Sequence, residues 1–240
     1  MSKILSVGEI IWDIYPDKRV IGGAPLNFAA HTSKCGADSC LISAVGADML
    51  GKQALESAKS FGMDCRYIKV TDFPTGQCIV TLDKDGVPAY NVLKDVAYDN
   101  ISITDNDLEQ IEKQNFDALY FGTLIQRCQA SRAAVKKLSD AFAGKTVFCD
   151  VNLRPDCFDK DSCLLCLSSA TVLKVSIEEE PLLRAFTDYT PVSDHPAQIS
   201  RAICEKFNFE TLEFQSLEGV IKAIGLDPSD LCTYCWSGKE

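Results

Sequence analysis

Short apolar runs with strand character alternate along this chain with segments of helical period, and that alternation constrains the fold more than any other feature. Strand character is read at Ile4–Ile11, Ser39–Val45, Ala118–Phe121, Thr146–Val151 and Val172–Val175. Helical character is read at Pro25–Cys35, stopped by Gly36, and at Lys52–Ser60, stopped by Phe61-Gly62. It returns at Ala130–Phe142, Leu164–Ser168 and Glu178–Phe186. Strand–helix alternation at this spacing predicts an α/β fold, a parallel sheet covered by helices on both faces.

One segment breaks the rhythm. Pro74-Thr75-Gly76 is a turn signal, Gln77–Leu82 reads as a strand, Lys84-Asp85-Gly86 turns, and Val87–Val92 returns. Two readings are open for this hairpin: a flap over a site at the strand ends, or an antiparallel edge of the main sheet. Beyond Thr187 the pattern weakens at Pro191, His195 and Pro196, then Ile199–Phe207 gives one more helix. Ser216–Ile224 reads as an amphipathic helix, followed by a tail at Cys232–Glu240.

Composition narrows the function classes. The chain has 240 residues, and 46% are hydrophobic, enough for a sizeable core. Its net charge is −10 and no basic block interrupts the acidity, which argues against nucleic acid or an anionic membrane as the main partner. No apolar run reaches the roughly 20 residues of a membrane helix. Met1–Gly8 reads as a first strand rather than a signal peptide, so a cytoplasmic protein with its twelve cysteines reduced is expected. Cys78, Cys149 and Cys204 sit in apolar contexts, where a thiol behaves as a small hydrophobe. Cys163/Cys166 and Cys232/Cys235 have Cys-x-x-Cys spacing.

Candidate chemistry starts beyond the first strand. Ligands of open α/β sheets bind past the carboxyl ends of strands, which places Asp13 where a carboxylate could accept hydrogen bonds from a vicinal diol. A solvent-exposed turn aspartate is the alternative. Gly22-Gly23-Ala24-Pro25-Leu26-Asn27 pairs glycines that admit close backbone approach with a proline suited to a helix's first turn. Asn27 can point a donor and an acceptor outward from that turn; a plain glycine-rich loop before a helix is the alternative. The string lacks the lysine and spacing of a nucleotide P-loop.

With Gly36 and Gly46, these residues resemble the N-terminal signature of the ribokinase-like (PfkB) carbohydrate kinases. Val45-Gly46-Ala47-Asp48-x-x-Gly51, Pro74-Thr75-Gly76, Asp150-Val151-Asn152-Leu153-Arg154 and Leu173-Lys174-Val175-Ser176-x-x-Glu179 resemble later motifs of that family, in the right order. Gly8-Glu9 and Gly22–Pro25 look most like bacterial fructokinases. The resemblance covers residues 1–207 and implies a ribokinase-like sheet with a small β lid at about 74–92. It further implies that Asp13, Gly22, Gly23 and Asn27 hold a small-molecule sugar. Arg154 would lie near substrate or transferred phosphate, and Asn152 and Glu179 on the phosphate and magnesium side. ATP and Mg2+ are the cofactors it implies, and a homodimer through the lid is a known arrangement among such kinases. Ser176 stands where the family usually has Asn. Ser176-x-x-Glu179 is also a helix capping box, and Asp150 and Asn152 are open between site residues and strand-end hydrogen bonding.

The family's phosphate-transfer segment, a Gly-Ala-Gly-Asp turn that starts a helix and carries the base, has no match in the sequence. Gly36-Ala37-Asp38 and Gly46-Ala47-Asp48 lack the second glycine. No catalytic residue is therefore assigned, little nucleotide binding is expected, and the sheet is expected to be incomplete at its C-terminus. The last 30 or so residues, with Ser216–Gly219, Ala223–Leu226 and Cys232-x-x-Cys235, resemble the end of an amidophosphoribosyltransferase. There Cys232 and Cys235 would be two ligands of an iron–sulfur cluster that needs four; Cys163/Cys166 as the other pair, and two free thiols, are the alternatives. The domain boundary is placed near Asn208–Thr211, with 208–240 unrelated to what precedes it. Three functions follow: a sugar kinase impaired in transfer, a sugar-binding module without catalysis, or a non-functional chimeric fragment. A protein related to amidophosphoribosyltransferase ranks below them.

Overall fold

The computed structural model describes residues 2–207, apart from 83, 85, 188, 192, 194 and 195, together with the strand 211–214. The first half runs β1 (Lys3–Val7), β2 (Ile11–Ile14), β3 (Arg19–Gly22), α1 (Ala24–Lys34), β4 (Asp38–Gly46), α2 (Met49–Ser60), β5 (Ile68–Thr71), β6 (Gly76–Leu82) and β7 (Pro88–Val92). The second runs α3 (Asp105–Gln114), β8 (Ala118–Gly122), α4 (Gln129–Ala141), β9 (Thr146–Asp150), α5 (Lys160–Ser169), β10 (Val172–Val175), α6 (Glu180–Thr187), α7 (Pro196–Phe207) and β11 (Thr211–Phe214).

Seven strands form one parallel sheet in the order β11-β10-β9-β8-β1-β4-β5. The period of two in β1 shows why it is covered on both sides: Leu5 and Val7 join a core with Ile111, Val135, Leu138 and Cys166 of α3, α4 and α5. Ile4 faces the other way, toward Phe28 of α1. The chain winds outward from β1 through β4 and β5, then returns to add β8 to β11 on the opposite side. The strand order therefore reverses between β1 and β8, and the crevice beyond such a reversal is where open α/β sheets bind ligands.

The segment Ile4–Ile11, expected as one strand, is two. At Gly8 the backbone turns into the left-handed region, φ +154°, and a Cβ there would lie 2.3 Å from Cγ of Pro25. The chain leaves the main sheet at that point, and β2 pairs instead with β3 and β6. The resulting four-stranded sheet, β3-β2-β6-β7, contains the hairpin. The edge reading of the hairpin is thereby corrected: β6 and β7 belong to a separate sheet.

Two polar clusters tie this small sheet to the large one. Asp48, N-cap of α2, accepts from Gly51 N (2.8 Å), Thr75 N (2.9 Å) and Thr75 Oγ1 (2.7 Å), and Thr75 Oγ1 accepts from Gly46 N (2.9 Å). Burial would raise the Asp48 carboxyl, but these donors hold it below its ordinary value. The motifs Val45–Gly51 and Pro74–Gly76 thus act together as the base of the lid. On the far side, Arg127 Nε and Nη2 donate to Asp99 at 2.7 and 2.8 Å, and Nη2 donates to Leu93 O (2.6 Å), just past β7.

The strand β11 continues the sheet beside β10, beyond the boundary expected near Asn208–Thr211. His195, the helix expected at Ser216–Ile224, and Cys232 and Cys235 lie outside the described residues. Cys163 and Cys166 are fully buried between α5 and the sheet, and the described residues hold no group of three or more metal-ligating side chains. No helix among them is long and apolar enough to cross a membrane.

Candidate functional site

The residues singled out in sequence gather where β1 and β9 end and the small sheet begins. Asp13 is half-buried on β2, opposite Val20 of β3 and Cys78 of β6. Its Oδ2 lies 3.7 Å from where a Cβ on Gly22 would stand, so the carboxylate and the glycine backbone border one space. Burial pushes the Asp13 carboxyl up, while the Arg154 charge and a hydrogen bond from the Cys78 thiol restrain the rise. Burial in turn pushes the Cys78 thiol up to about 11, so it remains a neutral donor at neutral pH.

Gly23 is the N-cap of α1 and sits at φ +113°, where a Cβ would come within 2.4 Å of Glu9 O. Only glycine fits there. Pro25 follows in the first turn, and Asn27 N donates to Gly23 O at 2.9 Å, which places Asn27 one turn above the glycine pair. Asp13 and Gly22 are thus brought together by β2 and β3, and Gly23 and Asn27 follow at the start of α1.

A second group borders them from β9 and β10. Asp150 ends β9, is buried, and pairs with Lys174 Nζ of β10 at 2.8 Å. Burial pushes its carboxyl up, and Lys174 limits the rise. Asn152 follows in the left-handed region, φ +37°, which aims the chain toward exposed Arg154. The Arg154 charge reaches Glu9, Asp13 and Asp150. Glu179 closes the capping box: Oε2 accepts from Ser176 N (2.7 Å) and Ser176 Oγ accepts from Glu179 N (3.3 Å). Its Oε1 also accepts from Leu153 N (2.5 Å), fastening the β9 loop to the start of α6.

Sequence reasoning missed two members. Glu9 is 4% exposed at the end of β1, and its Oε1 accepts from Ala24 N at 3.0 Å. A carboxylate inside the apolar run Gly8–Ile11 was the available signal, since a charge there must find a partner. Cys78 was read only as a hydrophobe, because its contact with Asp13 crosses between strands that sequence does not pair.

A triphosphate with its magnesium requires several donors held around the phosphate oxygens. At this rim the described residues offer exposed Arg154, while Lys174 is tied to Asp150 and both Glu179 oxygens accept backbone N–H groups. That set alone does not fit a nucleoside triphosphate.

A parallel sheet that reverses at β1 and a separate four-stranded sheet beside it frame these residues. The chain belongs to the pfkB family of carbohydrate kinases, whose model matches residues 1–205. Among curated relatives it is 32% identical over 166 residues to the sugar kinase PH1459 of Pyrococcus horikoshii, covering 64% of this chain and 53% of that protein. It is 26% identical over 200 residues to a fructokinase of Salmonella typhimurium, covering 78% and 64% respectively. The chain thus spans between about half and two thirds of the length of these relatives. The crystal structure of PH1459 superposes with a TM-score of 0.67 at 28% identity, covering 76% of this chain and 68% of that one. A fructokinase of Xylella fastidiosa with bound ATP shares the fold, with a TM-score of 0.76 at 18% identity over 90% of this chain and 69% of that one.

Proposed function

We propose that this chain is the sugar-binding part of an ATP-dependent carbohydrate kinase, with fructose or a similar ketose or pentose as acceptor. The observation that carries the reading is the Asp13 carboxylate bordering Gly22, with Gly23 and Asn27 on the same turn. A carboxylate accepts two hydroxyl protons in one plane, glycine backbone allows close approach, and an amide supplies one donor and one acceptor. Membership of the family supports a small-molecule sugar as the substrate class and ATP as the phosphoryl donor, with Mg2+ as its companion ion. In this reading Arg154 lies nearest the transferred phosphate, and Asn152 and Glu179 order the loop on that side. Glu179 acts there through the backbone it caps.

The sequence holds no Gly-Ala-Gly-Asp turn to neutralise a migrating phosphate, so the 240-residue chain captures sugar and transfers little. Residues 1–207 form the kinase-like part, with the lid at about 74–92, and 208–240 are a tail of separate origin whose first strand docks on β10. The lid strands expose Val20, Leu82 and Tyr90, apolar surface suited to a homodimer through the lid. The acidic net charge and reduced thiols suit a cytoplasmic protein.

A coupled assay with fructose, ATP and magnesium tests the transfer claim. The 240-residue chain is expected to stay near the enzyme-free rate. Turnover well above it would mean that another group serves as base.

A further inference from the structure

Glu9 is, beside Asp150, a deeply buried acid of this region. Glu9 follows β1 where the chain crosses from the large sheet to the lid. Its Oε1 receives the Ala24 N–H at the start of α1, and its own carbonyl packs against Gly23. One residue therefore touches both halves of the turn that carries Gly22, Gly23 and Asn27. It also feels the charge of Arg154 on the other wall.

We propose that Glu9 is a positioning residue for the acceptor site: ionised, it locks the Gly22-Gly23-Ala24 turn and draws Arg154 inward; protonated, it releases both. This rests on the sugar-binding reading for its consequence, though not for the behaviour of the turn. An ionised carboxylate accepts a backbone N–H more strongly than a neutral one and suits the positive end of a helix.

The groups facing Glu9 make the change accessible near neutrality. Burial pushes its carboxyl up to about 7; the hydrogen bonds from its own backbone and Ala24 oppose that rise, as does Arg154, while Asp150 adds to it. Tyr98, after β7, and Tyr120 of β8 complete the surroundings and stay neutral, because burial raises both phenols. Lowering pH through about 7 therefore protonates Glu9, and sugar affinity falls in that direction.

Amide NMR of the free protein reads the turn without sugar, and calorimetry with fructose reads its consequence. The Ala24 amide is expected to shift with a midpoint near pH 7 in wild type and to stay fixed in Glu9→Gln, an isostere that keeps the packing. Fructose affinity is expected to drop about tenfold between pH 8 and 5.5 in wild type, beyond any change in Glu9→Gln. An Ala24 amide that does not titrate, or titrates alike in both proteins, overturns the inference. So does an equal pH dependence of fructose binding in both. Titration of Ala24 with no fructose binding at any pH would sink the sugar reading while upholding Glu9 as the group that sets the turn.

Discussion

Replacing Asp13 by Ala is expected to weaken fructose binding by about 10²- to 10³-fold, because two hydrogen bonds to a charged acceptor are lost at once. The fold should be indifferent. Asp13 is half-buried, and its described partners are the Cys78 thiol and the charge of Arg154. Truncation there leaves a neutral thiol facing a gap open to the site, so the thermal midpoint should move little. Calorimetry of both proteins at pH 8 measures the effect. A change of less than about threefold in affinity would mean that the sugar is held elsewhere.

The second large effect concerns stability. Arg127→Leu is expected to lower the thermal midpoint by on the order of 10 °C, since breaking a buried ion pair costs about 3–5 kcal/mol and a domain of this size loses roughly 2–4 °C per kcal/mol. The side chains of Arg127 and Asp99 are only 5% and 2% exposed, so Asp99 would keep a buried charge facing neutral donors, the Val96 N–H and the Cys128 thiol. Arg127 also covers the Tyr98 ring, with its guanidinium 5.0 Å from the centroid, and holds Leu93 O. Its loss should therefore loosen the exit of the lid as well as the core beneath it. The double variant Asp99→Leu/Arg127→Leu is expected to recover much of the loss, because an apolar pair removes the uncompensated charge. Differential scanning calorimetry decides it. A shift under about 2 °C for the single variant would show that Asp99 finds another cation or water.

How far the sequence discloses the molecule depends on the range of the contact involved. The strands β4, β8, β9 and β10 and the helices α1, α2 and α4 were legible from period and stop signals within a few residues of their ends, as was the capping box at Ser176 and Glu179. The closeness of Asp13 to Gly22 follows from the pairing of β2 with β3, which spacing alone does not give. Other elements were not legible either. The strand β3 begins with exposed Arg19 and Val20 and carries no apolar run. Helix α3 buries little besides Ile111, so its apolar stripe is too narrow to register; in the structure a Thr104–Asp107 capping box starts it. The break at Gly8 depends on Pro25, seventeen positions on, and the role of Asp48 depends on Thr75 across 27 positions. Glu9 shows the same limit, since its partner Ala24 is a neighbour only after the chain has passed through β2 and β3.

A crystal structure of the 240-residue chain with fructose, grown without nucleotide at pH 8, bears most directly on whether a hydroxyl-binding pocket is built here. The expected density is one sugar under the β6–β7 hairpin, with two hydroxyl oxygens within about 3 Å of the Asp13 carboxylate and another at the Asn27 amide. Fructose lodged anywhere else, with Asp13 facing only Cys78 and solvent, would contradict it.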